Sequence, residues 1–338
     1  MDSRKRSWLS WGVAAGAATA ALLWRSRQGR LDLARRGGYL TREAAAGLGV
    51  QAECRWIRAG DLELHAVVAG PEEGPLALLL HGFPECWYSW RHQIPVLAGA
   101  GYRVVAPDLR GYNLSDKPQG VQHFQIDRLT EEIGALIRAL GRERAVLVAH
   151  DWGGVVAWRF AIDYPEAVDR LVVMNAPHPV TFLKSLRSDR SQQLKSWYML
   201  AFQLPWLPEA LLTLSPAASA QLFFRGTAVR SQAFSDADLE VMAAALAQPG
   251  AMRCMIDWYR AAFRFRSAAK YRPIEAPTLL IWAEDDVALG RSLASGLERW
   301  VPDLQVHYVP DCGHWVQNEA SDEVNERMLA FLRERAGP

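Results

Sequence analysis

Cysteine is scarce in this chain. Cys54, Cys86, Cys254 and Cys312 are the four present, and none lies in a Cys-x-x-Cys pair or beside a His pair, so no zinc-site spacing is seen. Free, buried thiols are expected instead, and nothing calls for a metal or an organic cofactor. A net charge is also lacking, with 38 Lys and Arg against 37 Asp and Glu. What imbalance exists is local: residues 1–30 carry six basic residues and one acid, and the rest of the chain carries 32 against 36. That basic cluster flanks an apolar segment and comes with no groove-reading motif, which argues against a nucleic-acid partner. There is no internal repeat, and no low-complexity segment beyond one Ala-rich stretch near the start. Half of the residues are apolar, enough at this length to bury the core of one large domain with an inserted lobe.

The Ala-rich stretch is SWLSWGVAAGAATAALLW, residues 7–24, uncharged and bracketed by Arg4-Lys5-Arg6 and by Arg25, Arg27 and Arg30. As a helix it would span roughly 27 Å, just under a hydrocarbon core. Its length and terminal tryptophans suit a single N-terminal membrane anchor. A cleaved signal peptide of a secreted protein fits AGAATA but not the Leu-Leu-Trp-Arg that follows, and an Arg-rich mitochondrial presequence is the third reading. Basic flanks on both sides leave the orientation open.

Residues 25–50 read as a polar tether with a short helix. From Trp56 the pattern turns to strands at Leu62–Val68, Leu76–Leu80, Val104–Ala106, Ala145–Ala149, Leu171–Met174, Thr278–Trp282 and Val306–Val309. Several are short continuous apolar runs, as expected for parallel strands covered on both faces. Between them, Ile126–Leu140 has apolar residues spaced for one helix face and is stopped by Gly141. Strands alternating with helices predict an α/β fold with a doubly wound sheet. The rhythm breaks between about Val180 and Arg272, an aromatic-rich helical region with the Pro205-Trp-Leu-Pro208 kink. This predicts an anchor or targeting segment at 1–30, a core in two parts at 51–179 and 273–338, and a helical cap at 180–272 over the carboxyl ends of the strands.

The stretch VLVAHDWGGVVAW, residues 146–158, reads as strand, sharp turn and helix, with Asp151 at the turn. Many hydrolases place small-x-Ser-x-Gly there. The helix N-terminus favours an ionised carboxylate, and a plain N-cap is the competing reading. Three other segments favour chemistry. After LALLL comes His81-Gly-Phe-Pro-Glu85, a loop that can aim the Phe83 N–H, together with that of Trp152, at a reacting oxygen as an oxyanion hole. TLLIW runs into Ala283-Glu-Asp-Asp286, and the last strand runs into Asp311-Cys-Gly-His314-Trp315. Nucleophile, acid and histidine at three strand ends is the chain order of α/β-hydrolases, with Glu284, Asp285 and Asp286 all open as the acid.

HGFPE, RGYNLSDKP, VAHDWGG, WAEDDV and DCGHW together resemble the epoxide hydrolases of the α/β-hydrolase superfamily, and with the apolar start the chain most resembles their membrane-anchored branch. The likeness runs from about Trp56 to the C-terminus, with Ala149 where Gly is usual. It implies an α/β-hydrolase fold with a mostly parallel eight-stranded sheet, and Asp286 as the acid. It also implies Tyr198, in SWYMLAFQLPW, and Tyr259, in DWYRAAF, as cap tyrosines that hold the substrate and assist ring opening. A serine attacking an epoxide carbon would become a stable ether, whereas a carboxylate becomes an ester that water can cleave. The expected reaction is therefore conversion of a small apolar epoxide and water to a diol, with Asp151 as nucleophile and His314 as base. Asp108 and Arg110 are expected to fix a loop, Cys312 to be a buried neighbour, and Trp87, Trp90 and Trp315 to wall or pack the site.

A haloalkane dehalogenase would place a halide-binding Asn after His81-Gly82, where Phe83 stands. A fluoroacetate dehalogenase would place Arg just after the nucleophile, where this chain has Trp152 and Val155. A non-catalytic α/β-hydrolase that only binds an apolar ligand is the alternative of another class. The sequence is silent on oligomeric state.

Overall fold

The computed structural model describes residues 26–334 apart from residues 266, 268 and 269. The expected anchor at 7–24 lies outside the described residues, among which no helix is long and apolar enough to cross a membrane.

One eight-stranded sheet organises the chain, in the order β1-β2-β4-β3-β5-β6-β7-β8. The strands are β1 (Ala52–Ala59), β2 (Leu62–Ala69), β3 (Leu76–Leu80), β4 (Arg103–Pro107), β5 (Ala145–His150), β6 (Val168–Met174), β7 (Thr278–Ala283) and β8 (Leu304–Val309). The pairs β1/β2 and β2/β4 are antiparallel and every other pair is parallel. The sequence dictates this division. LALLL in β3 and AVLVAH in β5 are buried at every position, which only a strand covered on both faces permits. AECRWIRA in β1 exposes Glu53, Arg55 and Trp56 and sits at the edge.

The helices are α1 (26–46), α2 (Gln93–Gly99), α3 (Ile126–Ala139), α4 (Asp151–Asp163), α5 (Pro179–Ser188), α6 (Arg190–Lys195), α7 (Trp197–Ala201), α8 (Leu207–Thr213), α9 (Pro216–Ala220), α10 (Asp236–Leu246), α11 (Ala251–Arg264), α12 (Val316–Glu319) and α13 (Ser321–Glu334). In α3, Leu129, Ile133, Leu136 and Ile137 form the buried stripe that the spacing predicts. Helices α5 to α11 lie between β6 and β7, so the sheet is interrupted where the strand pattern lapses in the sequence. Their inner residues reach the loops at the carboxyl ends of the strands, as when Phe202 and Tyr259 stand edge-on to Phe83.

Two expectations need correction. Residues 26–46 form one continuous helix rather than a tether with a short helical piece. That helix is held on the cap by Arg36–Glu240 at 2.8 Å, by Gln248 donating to the Ala34 carbonyl at 3.0 Å, and by Ser26 Oγ donating to the Leu214 carbonyl. The local sequence is polar, and its partners lie some two hundred residues away. The first strand begins at Ala52, ahead of Trp56, because an edge strand with charged outward positions has no apolar run to announce it.

Candidate active site

Five strands deliver their carboxyl ends to one edge of the sheet, and the site is assembled from the turns that follow. After β5, Asp151 takes φ +47°, a left-handed conformation that throws its side chain clear of both strand and helix. The turn closes only because its neighbours lack side chains. A Cβ on Gly153 would stand 2.1 Å from the Leu80 carbonyl oxygen, and one on Gly82 would stand 2.4 Å from the Asp151 Cβ.

The Asp151 carboxylate is partly buried and its two oxygens differ. Oδ1 accepts the Phe83 N–H at 2.8 Å, whereas Oδ2 lies 3.7 Å from His314 Nε2. The opposite ring nitrogen, Nδ1, sits 2.6 Å from Asp286 Oδ2. Asp286 is fixed in turn by Asn175 Nδ2 at 2.7 Å and by the N–H groups of Ala288 and Leu289 at 2.7 and 2.9 Å. Of the three acids after β7, Asp286 is the one that meets the histidine. Glu284 pairs outward with Arg291 instead.

Burial alone would lower the His314 pKa, but the carboxylates of Asp286, Asp151 and Glu85 outweigh it and raise it to about 9. Burial would likewise raise Asp286; the imidazole and the Asn175 amide hold it below the ordinary carboxylate range. His314 thus stands between two carboxylates that favour its protonated form.

The aromatic wall comes from the cap. Tyr259, fully buried on α11, stands edge-on to Trp152 at 5.0 Å and to Phe83 at 5.2 Å between ring centroids. Tyr198, partly buried on α7, lies 5.8 Å from the Tyr259 ring. Burial raises both phenols, and the Asp151 charge raises them further, so both keep their protons at neutral pH and can donate them. The Phe83 ring is packed by Phe202, Phe223 and Tyr259, an apolar surround with no side-chain amide from that position. The seven residues expected to hold or act on the substrate therefore meet in one place: Asp151, His314, Asp286, Phe83, Trp152, Tyr198 and Tyr259. This arrangement can hold an apolar molecule between a carboxylate and two proton donors, and it can activate water on the carboxylate side.

Three residues that sequence reasoning passed over support this set. Glu85 is wholly buried. It takes the Gly82 N–H at 2.8 Å, Ser89 Oγ at 2.5 Å, Gln317 Nε2 at 2.8 Å and His150 Nδ1 at 2.7 Å. His150 continues to the His314 carbonyl at 2.9 Å. Asn175 has φ +38° just after β6 and clamps Asp286. A polar residue ending the apolar run of β6, just as Asp151 ends β5, was the available signal. Asp108 is the loop anchor expected of it, accepting from the Trp87 N–H at 3.0 Å and from Asn113 at 2.9 Å. Cys312 is free and buried.

Fold and site together define a class, an α/β-hydrolase-fold enzyme with a carboxylate where the nucleophile stands. The family model for the alpha/beta hydrolase fold matches residues 75–321. The chain is 39% identical over 284 residues to Epoxide hydrolase 1 of Caenorhabditis elegans, covering 83% of this chain and 70% of that protein. It is 37% identical over 283 residues to human Epoxide hydrolase 4, covering 82% and 78%. A solved structure of Bacillus megaterium epoxide hydrolase in complex with an inhibitor superposes with a TM-score of 0.72 at 32% identity, over 82% of this chain and all of that one. The chain belongs to the epoxide hydrolases of the α/β-hydrolase superfamily.

Proposed function

We propose that this protein converts apolar epoxides, of lipid or xenobiotic origin, to vicinal diols through an ester on Asp151. The observation that carries this reading is the pair of unlike oxygens on one carboxylate. Oδ1 is held by the Phe83 N–H, which leaves Oδ2 to attack the epoxide carbon. As that C–O bond forms, the ring C–O bond breaks, and the departing oxygen takes a hydrogen bond or proton from Tyr198 or Tyr259. Water then attacks the ester carbonyl, and His314, once it has given up its own proton to solvent, takes the water's proton and passes it on to the phenolate left by ring opening. The developing oxyanion on Oδ1 stays at the Phe83 and Trp152 N–H groups. The diol leaves, and Asp151 keeps the oxygen that came from water.

Electrostatics orders the two steps. Forming the ester removes the Asp151 charge, one of the influences that raises His314. The imidazole becomes easier to deprotonate only once there is an ester to hydrolyse. Residues 51–179 and 273–338 serve as the core and 180–272 as the cap that carries the tyrosines. The apolar segment 7–24 attaches the enzyme to a membrane, a reading that rests on its length, its flanking charges and its terminal tryptophans.

Turnover of styrene oxide and of an epoxy fatty acid tests the reaction. Diol should form from at least one of them, and Asp151→Ala should reduce the rate by at least ~10³-fold. A folded protein that turns over neither substrate would count against the epoxide reading and favour the dehalogenase or ligand-binding alternative.

A further inference from the structure

Exposed leucine and tryptophan are concentrated on one part of the cap. Leu194 (75% exposed) on α6, Trp197 (66%) and Leu200 (65%) on α7, and Leu204 just beyond it are all exposed, at spacings of three, three and four residues along the outer side of the cap. Leu207, Leu211 and Leu214 repeat the pattern along α8 at spacings of four and three, and all three are exposed. Between the two groups, Trp206 is 72% exposed at φ +53°, in the segment Pro205-Trp206-Leu207-Pro208. Core packing does not account for these side chains. The inner side of the same helices is already supplied by Met199 and Phe202, which are buried, and by Tyr198. Single exposed leucines need no explanation, but eight large apolar side chains within 21 residues mark a surface that meets something apolar.

Two further observations identify what that is. The first is where the chain outside the described residues joins it. Ser26 Oγ donates to the Leu214 carbonyl, so the described chain begins at the end of the α8 stripe, at the residue next but one in sequence to the apolar segment 7–24. The second is charge. Residues 180–272 carry twelve Lys and Arg against six Asp and Glu, and residues 1–30 carry six against one. All other residues carry 20 against 30. By sequence the excess of positive charge thus falls to the cap and the N-terminal segment, with Arg225, Arg253 and Arg260 paired to Asp236, Asp257 and Glu209 within the cap. A second copy docked cap to cap would set like charge against like, whereas an anionic lipid surface complements it. Tryptophan is moreover the side chain most at home where headgroups meet hydrocarbon.

We propose that the outer face of α6–α8, with Leu194, Trp197, Leu200, Leu204, Trp206 and Leu211, docks on the interfacial region of an anionic bilayer. The inference builds on the lipid attachment proposed for residues 7–24. It implies that α7 presents Trp197 and Leu200 to lipid on one side and Tyr198 to the active site on the other. An apolar epoxide dissolved in the bilayer would then be one helix away from the reacting carboxylate.

The test uses the full chain, by hydrogen exchange with and without vesicles of phosphatidylcholine and phosphatidylglycerol. Docking predicts that vesicles slow exchange across residues 194–214 by roughly tenfold or more, more weakly when phosphatidylglycerol is omitted or salt is raised. Trp197→Asp/Trp206→Asp should abolish that protection while leaving protection of residues 7–24, and diol formation from a water-soluble epoxide, intact. Should the aspartates prevent folding, Trp197→Phe/Trp206→Phe keeps the surface apolar. Brominated lipids should then quench a smaller share of tryptophan emission than in the wild type.

Exchange at 194–214 that ignores vesicles, or equal quenching of the two proteins, overturns the docking surface. So does protection of 194–214 that is present before vesicles are added. If that protection depends on protein concentration, the occupant is a second copy. If it does not, the occupant is segment 7–24. The anchor is read separately, from residues 7–24 themselves, and the reaction from diol formation, so the three conclusions can fail independently.

Discussion

Asp151 pays a conformational cost of about 1–3 kcal/mol for its left-handed backbone, and the return is a carboxylate with one oxygen engaged and one free. His314, facing the free oxygen, is raised to about 9 by Asp286, Asp151 and Glu85 against the pull of burial. Because the folded-state value lies above the ordinary 6.5, the contribution of this charged cluster to stability is complete below about pH 6.5 and is lost as pH rises through about 9. Asp151→Asn imitates the loss of charge on esterification. It should lower the His314 titration midpoint, followed by NMR of the imidazole, by about one unit or more; an unchanged midpoint would separate the two steps from electrostatic control. The phenols make a second residue-scale test. Changing either Tyr198 or Tyr259 to Phe should slow ring opening by roughly tenfold, since one donor remains, and changing both should slow it by at least ~10³-fold with the fold retained. Unaltered single-turnover alkylation in the double variant would remove the phenols from the reaction.

At the scale of elements, the loop after β3 is held by one buried acid. Burial opposes the charge on Glu85, yet His150, Ser89 and the surrounding N–H groups overcome it and bring the carboxyl down to about 2. Its stabilising effect is present above about pH 4.5 and is lost as pH falls through about 2. Glu85→Ala strands His150 and the Gly82 N–H in the interior and should cost about 3–5 kcal/mol, read from chemical denaturation. A loss under 1 kcal/mol would mean that the loop stands without it. Glu85 was visible in HGFPE, with Gly82 and Ser89 beside it, but His150 and Gln317 are 65 and 232 residues away, so its linking role was not legible locally. The same holds for α1, whose contacts with Glu240, Gln248 and Leu214 are all distant in sequence. By contrast, β3, β5 and α3 were legible almost to the residue. Their burial is written in apolar runs and in a 3.6-residue stripe, signals that depend on neighbours only.

The whole molecule explains why the site residues could be found without a structure. A parallel sheet brings the carboxyl ends of β3, β5, β6, β7 and β8 to one edge, so a polar residue that breaks an apolar run at a strand end is already placed near the others. Asp151 follows β5 directly, Asp286 and His314 lie three and five residues beyond the ends of β7 and β8, and chain order joins them. The cap tyrosines have no such marker and were reached only through resemblance to a family. The central claim, that the carboxylate at the elbow is the nucleophile, is tested most directly by one turnover in ¹⁸O-labelled water with enzyme in excess. Attack by Asp151 predicts label in the peptide that contains Asp151 and an unlabelled new hydroxyl in the first diol. With His314→Gln, a substrate-mass adduct should accumulate on that same peptide. Label in the first diol with none in the protein would show instead that water opens the epoxide directly, and that Asp151 is only a base or a helix cap.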